Sequence, residues 1–312
     1  MKTSILIPYY NNSDTIERAI ESCLLQGEKH IKEIIVVDDG SKLDEFEFLA
    51  GLVNKFSLLS VFKNPSKGGN SARNYAFSLS KGDYIQWLDA DDVLLSGKLD
   101  AQIDFFERNA EIDIVYSDWR YDFYNNKQFT HSEKHKGALH VDYLHQLLID
   151  NWQPCHNYLL KREIAQQLFD FGLWNIQTRV AQDREYFTNA AILGAKFGYI
   201  SGEFAVYNRW GGNANVSTIS FQERLVLNLE QVYSYKQKIK DSALFSQQQK
   251  KYYLSLLDTE ILVSIYYNFK IKLPENIPFS HIIWKRIHWK MRFFIPFVYI
   301  CKNIEFTFSK KK

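Results

Sequence analysis

The chain has 312 residues, of which 46% are hydrophobic and 16% aromatic, so it can form one large domain or two modest ones with a sizeable core. Its formal net charge of +2 gives no reason to expect a nucleic-acid partner. The three cysteines, Cys23, Cys155 and Cys301, form no CxxC pair, which argues against a disulfide framework or a zinc site and favours a reduced, cytoplasmic setting.

Strand and helix patterns alternate through the first 120 residues. Apolar strands are predicted over residues 4–8, 33–38, 58–62, 84–88 and 114–119. Helices are predicted between them, over residues 14–26, 44–55, 71–80 and 99–109. Asp14 and Glu17 have the spacing of a capping box at the start of the first helix. This order predicts an α/β fold with an open, mostly parallel sheet flanked by helices, in which ligands bind outside the carboxyl ends of the strands.

The second half of the chain is less regular. Residues 122–137 are polar and predict a loop or a hairpin. Helices are predicted over 141–150, over 162–168 and from Asp183 onward, and short strands over 157–160, 197–200 and 204–208. Beyond Ser217 the pattern is long and helical, over 221–240 and 247–267. We therefore expect an α/β domain over 1–217, with halves of about 1–120 and 121–217, and a helical extension over 218–312.

Three carboxylates follow the fourth predicted strand directly, in the run LDADD of residues 88–92. Burying unpaired charge is costly, and hard divalent cations choose oxygen ligands, so Asp89, Asp91 and Asp92 are candidates for a cation site. A solvated turn capped by an aspartate explains the same run. The motif alone leaves both interpretations open.

Two further motifs stand at a strand end and a helix start. VVDDGS places Asp39 after the second strand, where Gly40 permits a sharp turn, and the carboxylate can accept an N–H from a nucleobase or cap the turn. The run NPSKGGNSARN brings Lys67 and Arg73 to a helix N-terminus, which suits a diphosphate unless it is only a flexible turn. Neither GxGxxG nor a P-loop is present, so a dinucleotide fold and a P-loop site are not supported.

In order along the chain, IPYYN at 7–11, VVDDGS at 36–41, GGNSARN at 68–74 and GDYIQWLDADD at 82–92 resemble the family 2 glycosyltransferases of GT-A fold. The resemblance covers roughly residues 1–215 and rests on the combination, because each motif alone is weak. It implies an inverting enzyme that moves a sugar from a nucleotide-sugar donor, expected to be a UDP-sugar, to an acceptor hydroxyl.

For the donor, the resemblance implies a role for five residues. Pro8 and Tyr10 would line the base pocket, and Asp39 would hold the base by hydrogen bonding. Arg73 would assist at the nucleotide, and Asp89 would contact the ribose or a metal-bound water.

The resemblance also implies a metal ion and a general base. Asp91 would ligate Mn²⁺ or Mg²⁺, which stabilises the leaving phosphate. Asp183 matches the carboxylate that deprotonates the acceptor hydroxyl, although Gln182 replaces the usual Glu before it. An N-terminal helix cap is the alternative for Asp183, and Glu185 is a competing base.

The later part of the domain departs from the family pattern. Residues 207–217 resemble a Y-R-x-H-x-x-x-x-S segment, but no histidine follows Arg209. Arg209 is expected to pair with the diphosphate, and Asn213 or a water to replace the histidine, unless the segment is an ordinary polar loop. The acceptor side is expected at Trp152, His156 and Trp174, although Trp is as often simply core.

The C-terminal tail is basic and aromatic. Eight of residues 281–312 are Lys or Arg, and only Glu305 is acidic. Apolar residues at near-helical spacing from Trp284 to Val298 are typical of an interfacial helix on an anionic membrane, and a helix packed on the rest of the chain fits equally well. The first residues lack signal-peptide character and no apolar run reaches transmembrane length. The expected location is cytoplasmic, with peripheral contact to the inner face of the membrane through this tail.

The sequence therefore predicts a metal-dependent, inverting glycosyltransferase of hexosyltransferase type that acts on a glycan or lipid-linked acceptor. Cell-surface polysaccharide or glycan synthesis is what the family resemblance implies. Because Gln182 and the missing histidine depart from the family, one alternative stays open: a non-catalytic subunit that binds a nucleotide sugar or a glycan on the same fold.

Overall fold

The computed structural model of the protein describes residues 1–211, 219–268, 277–288, 291–292, 294–297 and 299–302. The chain divides into two compact units. The first comprises Met1–Tyr143, Trp152–Gln177 and Gln182–Asn215, and the second Leu144–Asn151, Thr178–Ala181 and Val216–Lys312. The predicted boundary at Ser217 lies outside the described residues, so the division into domains at that point stays a prediction.

Nine strands of the described chain form one sheet. They are β1 (Thr3–Tyr9), β2 (Ile31–Asp38), β3 (Leu59–Lys63), β4 (Tyr84–Trp87), β5 (Val93–Leu94), β6 (Ile114–Asn125), β7 (Gln128–His135), β8 (Leu159–Lys161) and β9 (Phe197–Trp210). The order is β3-β2-β1-β4-β8-β6-β9-β5, and β7 pairs with β6. The neighbours among β1 to β4 are parallel, as are β6 and β9, whereas β5, β7 and β8 pair antiparallel.

Helices separate most of these strands. They are α1 (Ser13–Leu24), α2 (Leu43–Gly51), α3 (Gly69–Leu79), α4 (Lys98–Arg108), α5 (Tyr143–Leu148), α6 (Arg162–Phe171) and α7 (Gln182–Ile192). The main core joins Ile5 of β1 and Ile34 of β2 to Ile16 of α1 and Leu99 of α4, all fully buried. The predicted α/β fold, a sheet flanked by helices, is confirmed.

Several predicted elements differ in detail. The two short strands predicted over 197–200 and 204–208 are one strand, β9, because it pairs along nearly the whole of β6. Of the loop and the hairpin predicted for residues 122–137, the structure has the hairpin, formed by β6 and β7. The short strand β5 has no sequence signal of its own and exists by pairing with β9. The predicted capping box on α1 does not form: the carboxylate of Glu45 in α2 instead accepts the amide of Ser13 at 2.9 Å and its hydroxyl at 3.0 Å.

The second unit contains two long helices, α8 (Phe221–Asp241) and α9 (Gln247–Tyr267), and α9 starts with a capping box between Ser246 and Gln249. The tail does not continue as one helix from Trp284, because a 3₁₀ turn ends at Ile287, whose ψ of 125° is extended. Within the described ranges, no helix is both long and apolar enough to cross a membrane. Contact of this tail with a membrane surface stays a prediction.

Candidate active site

The carboxyl ends of β1, β2 and β4 lie side by side, because these strands are parallel neighbours. The amide of Asp39 donates to the carbonyl of Tyr9 at 2.8 Å, and the amide of Leu88 to that of Leu6 at 3.1 Å. The motifs that are distant in sequence therefore meet at one edge of the sheet. This edge is the candidate active site.

The predicted base pocket lies at the ends of β1 and β2. Asp39 accepts hydrogen bonds from the side-chain amide of Asn64 at 2.7 Å and from the backbone amide of Gly68 at 2.8 Å. Gly68 has φ of +102°, which favours glycine, so the turn before α3 is shaped for this contact. Pro8 is half-buried and Tyr10 is 59% exposed. The Tyr10 ring is thus accessible to stack on a planar ligand.

Arg73 of α3 connects three parts of the site, and its guanidinium is buried. Its Nη2 donates to Asp89 Oδ1 at 2.6 Å, and its Nη1 donates to Gln182 Oε1 at 3.3 Å. Its guanidinium carbon also lies 4.7 Å from the centroid of the Trp174 ring. The GGNSARN motif therefore ties the acidic strand end of β4 to the start of α7. A direct role of Arg73 at the nucleotide stays a prediction.

Asp91 is a half-buried carboxylate that the described chain leaves largely uncompensated. Burial raises its pKa to about 6, and the charge of Asp89 acts in the same direction. Arg18 of α1 lowers this pKa in part, and its Nη2 donates to the Asp91 carbonyl at 3.3 Å. Throughout the described ranges, no residue other than Asp91 itself, through its own backbone amide, donates a hydrogen bond to this carboxylate. A cation would relieve this crowding of negative charge, so the donor chemistry fits the predicted metal.

The number of ligands limits how such a metal is held. Among the described residues, no group of three or more His, Cys, Asp or Glu side chains could hold a metal ion. An ion at Asp91 would therefore need further ligands from outside the described residues, as is common for Mg²⁺.

Asp183 stands in the first turn of α7, and its Oδ2 accepts the backbone amide of Cys155 at 3.0 Å. Burial and, to a lesser extent, the nearby charge of Asp89 raise the pKa of this carboxyl to about 7, against the opposing effects of Arg73 and the Cys155 amide. A carboxyl with this pKa is suited to general-base chemistry near neutral pH. Glu185, the predicted competitor, is buried and accepts from the side-chain amide of Asn175 at 3.2 Å.

Asp92 is buried and has a structural role, because it attaches strand β9 to the acidic turn. Its Oδ1 accepts the amide of Asn208 at 2.7 Å, and the side chain of Asn208 donates to the Asp91 carbonyl at 2.6 Å, so β9 is fastened to the acidic turn. His156 Nδ1 lies 3.2 Å from Asp92 Oδ2. Burial lowers the pKa of His156 to about 4, so this imidazole is neutral at pH 7.

Tyr207 and Arg209 border the site on β9. The Tyr207 ring is nearly parallel to the His156 ring, with centroids 6.1 Å apart. Burial raises the pKa of the Tyr207 hydroxyl, and Asp92, Asp89 and Asp183 raise it further. Arg209 is exposed, and its guanidinium carbon lies 5.4 Å from the Tyr207 ring centroid. Asn213, the expected substitute for the missing histidine, lies outside the described residues.

The three residues predicted on the acceptor side have different surroundings. His156 is fully buried and Trp174 is 2% exposed, and the Trp174 ring stacks on Tyr186 with centroids 4.2 Å apart. Trp152 is half-buried, and its ring centroid lies 6.5 Å from that of Trp119. His156 and Trp174 are therefore part of the core that packs beside the site. Acceptor contact by any of the three residues stays a prediction.

Sequence reasoning missed three residues of this site. Arg18 stands on the polar side of the α1 pattern, which carries no signal for a contact with the acidic turn. Cys155 presents its amide to Asp183, and a backbone donor leaves no trace in residue type. Tyr207 could have been identified, since it belongs to the segment that ends in Arg209 and follows a strand pattern.

The chain is similar to several known proteins. Residues 4–190 match the family model described as "Glycosyl transferase family 2". An uncharacterized glycosyltransferase of Haemophilus influenzae is 36% identical over 107 residues, which are 34% of this chain and 42% of that protein. The Rickettsia felis uncharacterized glycosyltransferase is 34% identical over 126 residues, which are 40% of this chain and 20% of that protein. The chain thus spans well under half the length of these relatives.

One relative with a described activity is matched over more of its length. The UDP-Glc:alpha-D-GlcNAc-diphosphoundecaprenol beta-1,3-glucosyltransferase WfaP of Escherichia coli is 32% identical over 181 residues, which are 55% of this chain and 68% of that protein. Among solved structures, S. aureus TarS 1-349 in complex with UDP-GlcNAc superposes with a TM-score of 0.68 at 16% identity, covering 98% of this chain and 89% of that one. The complex of the same protein with UDP has a TM-score of 0.66, also at 16% identity, and covers 98% and 88%. At this identity the likeness is one of fold.

Proposed function

The chain belongs to glycosyltransferase family 2, and we propose that it transfers a sugar from a UDP-sugar donor to a hydroxyl of an acceptor glycan, with inversion at the anomeric carbon. The observation that carries the proposal is the meeting of Asp89, Asp91 and Asp183 around Arg73, with Asp39 at the end of a neighbouring strand on the same edge of the sheet. This set of carboxylates favours an enzyme over a subunit that only binds.

The donor is proposed to lie across the ends of β1, β2 and β4. The exposed Tyr10 ring would stack on the uracil base, and Asp39, beside Pro8, would accept the base N–H. Asp89 would meet the ribose, held in place by Arg73. A UDP-sugar is supported by the donor in the name of the E. coli relative and by the UDP and UDP-GlcNAc complexes of TarS.

Asp91 would hold Mn²⁺ or Mg²⁺ together with oxygens of the donor diphosphate. When bound, such an ion supplies positive charge that stabilises the diphosphate as it leaves. Arg209, exposed beside Tyr207, is proposed to add positive charge on the same side. The protein itself contributes the fixed position of Asp91, which Arg18 and Asn208 hold through its backbone carbonyl.

Asp183 is proposed to remove the proton of the attacking hydroxyl. The Cys155 amide fixes one carboxylate oxygen, which leaves the other to accept the acceptor O–H. The freed oxygen attacks the anomeric carbon as the bond to the diphosphate breaks on the opposite face, so the configuration inverts. With a pKa of about 7, a large fraction of Asp183 is ionised near neutral pH, and the ionised carboxylate is basic enough to accept this proton.

The acceptor is proposed to be a sugar carried on a lipid diphosphate, as in the name of the E. coli relative. With such an acceptor, the reaction would take place at the inner face of a membrane, as a step in the assembly of a surface polysaccharide. This part of the proposal depends on the relative rather than on the geometry of the site.

The test is a screen of UDP-sugars with Mn²⁺ by thermal shift, because a ligand that binds only the folded protein raises the melting temperature. UDP release is then measured with the stabilising donor and an α-GlcNAc-diphosphoalkyl acceptor. Asp91→Ala and Asp183→Asn should each abolish release, whereas Asp104→Ala on the exposed side of α4 should not. Tight donor binding with no turnover across a panel of acceptors would instead support the binding subunit.

A further inference from the structure

One face of the β6, β7 and β9 strands carries a continuous row of rings outside the set of carboxylates. Alternation along β6 points Trp119, Tyr121 and Phe123 to the same side. The register places these three opposite His135, Glu133 and His131 of β7, and opposite Ala205, Tyr207 and Arg209 of β9. We call the surface formed by Trp119, Tyr121, Phe123, His131, His135 and Tyr207 the aromatic face.

The rings of the aromatic face are held by one another. Phe123 and His131 stack with centroids 4.4 Å apart and planes 1° apart, and Trp119 and His135 stack at 4.3 Å and 11°. Tyr121 stands between these pairs, at right angles to Tyr207 with centroids 5.3 Å apart. Such cross-strand aromatic pairs are individually modest in energy but together fix the orientation of each ring.

The aromatic face is open to solvent on the side of the hairpin. Every residue of β7 is exposed, and His131 and Glu133 each have side chains that are 57% exposed. Tyr121, Phe123 and Tyr207 are half-buried, so part of each ring is accessible. A hairpin that served only the fold would gain little from rings in this position, and clustered exposed rings are typical of binding surfaces.

The aromatic face is continuous with the proposed reaction centre. Tyr207 lies against His156, whose neighbour Cys155 donates its amide to Asp183. The guanidinium of Arg209 lies 4.6 Å from the Tyr121 ring centroid, and its Nη2 donates to the Tyr121 hydroxyl at 3.2 Å. The aromatic face therefore extends from the neighbourhood of Asp183 toward the tip of the hairpin.

We propose that the aromatic face binds the sugar rings of an oligosaccharide acceptor, with the reacting sugar at Tyr207 and the next sugar over Tyr121 and Phe123. This inference rests on the proposed glycosyl transfer. The flat faces of pyranose rings carry C–H groups that pack on aromatic rings, and their hydroxyls need nearby polar partners. His131, His135, Glu133 and Arg209 supply such partners along the row, a mixture that suits a sugar better than a purely apolar ligand.

The first experiment compares variants of two rings with a matched control. Phe123→Ala and Tyr121→Ala should each raise the KM for an acceptor disaccharide carried on an alkyl diphosphate by about tenfold, the effect of losing one well-placed aromatic anchor. Tyr121→Phe, which keeps the ring, should stay close to wild type. The control is Phe129→Ala: this ring is 56% exposed on the same hairpin but packs against Tyr124 on the opposite face.

Donor binding separates this inference from the proposed function. UDP affinity in the presence of Mn²⁺, measured by calorimetry, should be unchanged in Phe123→Ala and Phe129→Ala, which leave the Tyr121 partner of Arg209 in place. If the wild type transfers sugar and Phe123→Ala and Tyr121→Ala leave acceptor KM unaltered, the aromatic face is not the acceptor site. An equal loss in Phe129→Ala would assign the effect to hairpin stability and would also overturn the inference.

A second measurement does not depend on turnover. Wild-type protein is applied to a panel of bacterial surface oligosaccharides, and binding is expected for at least one member and is expected to be lost in the Tyr121→Ala, Phe123→Ala double variant. Binding of no member by the wild type would overturn the inference even if UDP binds well. A change from dimer to monomer in the double variant, seen by analytical ultracentrifugation with glycan binding intact, would assign the aromatic face to self-association instead.

Discussion

Replacing Asp183 with asparagine is expected to abolish transfer and, at the same time, to stabilise the protein. Burial and Asp89 raise the pKa of this carboxyl from its ordinary 3.8 to about 7 in the folded chain. The folded state therefore binds the proton more tightly than the unfolded state does. The free energy of unfolding falls as pH rises from about 4 to about 7, and the loss persists at higher pH.

The size of the effect follows from the same values. A rise from 3.8 to about 7 corresponds to roughly 4 kcal/mol at pH 8, as an upper bound because the neighbouring carboxylates titrate together with Asp183. Asparagine carries no charge and its amide oxygen can still accept the Cys155 amide, so Asp183→Asn should recover roughly 2–4 kcal/mol. At about 2 °C per kcal/mol, the melting temperature should rise by at least about 4 °C at pH 8.

The assay is differential scanning fluorimetry of wild type and variant between pH 5 and pH 8. The gain should shrink at pH 5 to less than half its value at pH 8, because the wild-type carboxyl is then protonated in the folded state. Asp170→Asn, at an exposed position of α6, is the control and should show no such pH dependence. A variant that is less stable than wild type at pH 8, or a gain that is independent of pH, would refute the reasoning about burial.

Four further outcomes are expected. In wild type, kcat/KM should rise with pH to a plateau above about pH 7, because the base must be ionised, and a flat profile would exclude Asp183 as the base. Gln182→Glu should move this rise to higher pH by about one unit, since it adds negative charge next to Asp183 and competes for Arg73; an unmoved profile would contradict that arrangement. Transfer should be lost in EDTA and in Asp91→Ala and return with Mn²⁺ in wild type only, so full activity in EDTA would rule out the metal. Asp39→Asn should weaken UDP binding by roughly ten- to a hundredfold in calorimetry, and an unchanged affinity would remove Asp39 from the base pocket.

The strand ends could be predicted because their chemistry is local. Asp39, Asp89 and Asp91 each lie within three residues of the end of an apolar run, and parallel neighbouring strands bring such positions together whatever the sequence between them. The alternation of strands and helices can be predicted from the spacing of apolar residues, which changes between the strand and helix patterns clearly in residues 1–120. These parts of the prediction depend on no contact between distant residues.

Other parts depend on partners that the sequence does not reveal. The predicted capping box of Asp14 and Glu17 does not form on α1, and the carboxylate of Glu45 from another helix instead accepts the amide of Ser13. The strand β5 is too short to show a pattern and is defined by β9, to which Asp92 is fastened through Asn208. The aromatic face exists only through the register of β6 with β7 and β9, although each of its rings is visible in the printed sequence.

The charge of Arg73 only partly balances the buried carboxylates around it, an arrangement that favours catalysis over stability of the fold. One guanidinium serves Asp89 directly and Asp183 at longer range, while Gln182 accepts from it without adding charge. Burial, together with the charge of Asp89 that Arg73 only partly offsets, raises the pKa of Asp183 into the range that a base requires. A chain selected for stability alone would neutralise such a group, since an amide at that position removes the penalty and keeps the hydrogen bond. The uncompensated carboxyl at the start of α7 therefore supports the proposal that Asp183 acts in proton transfer.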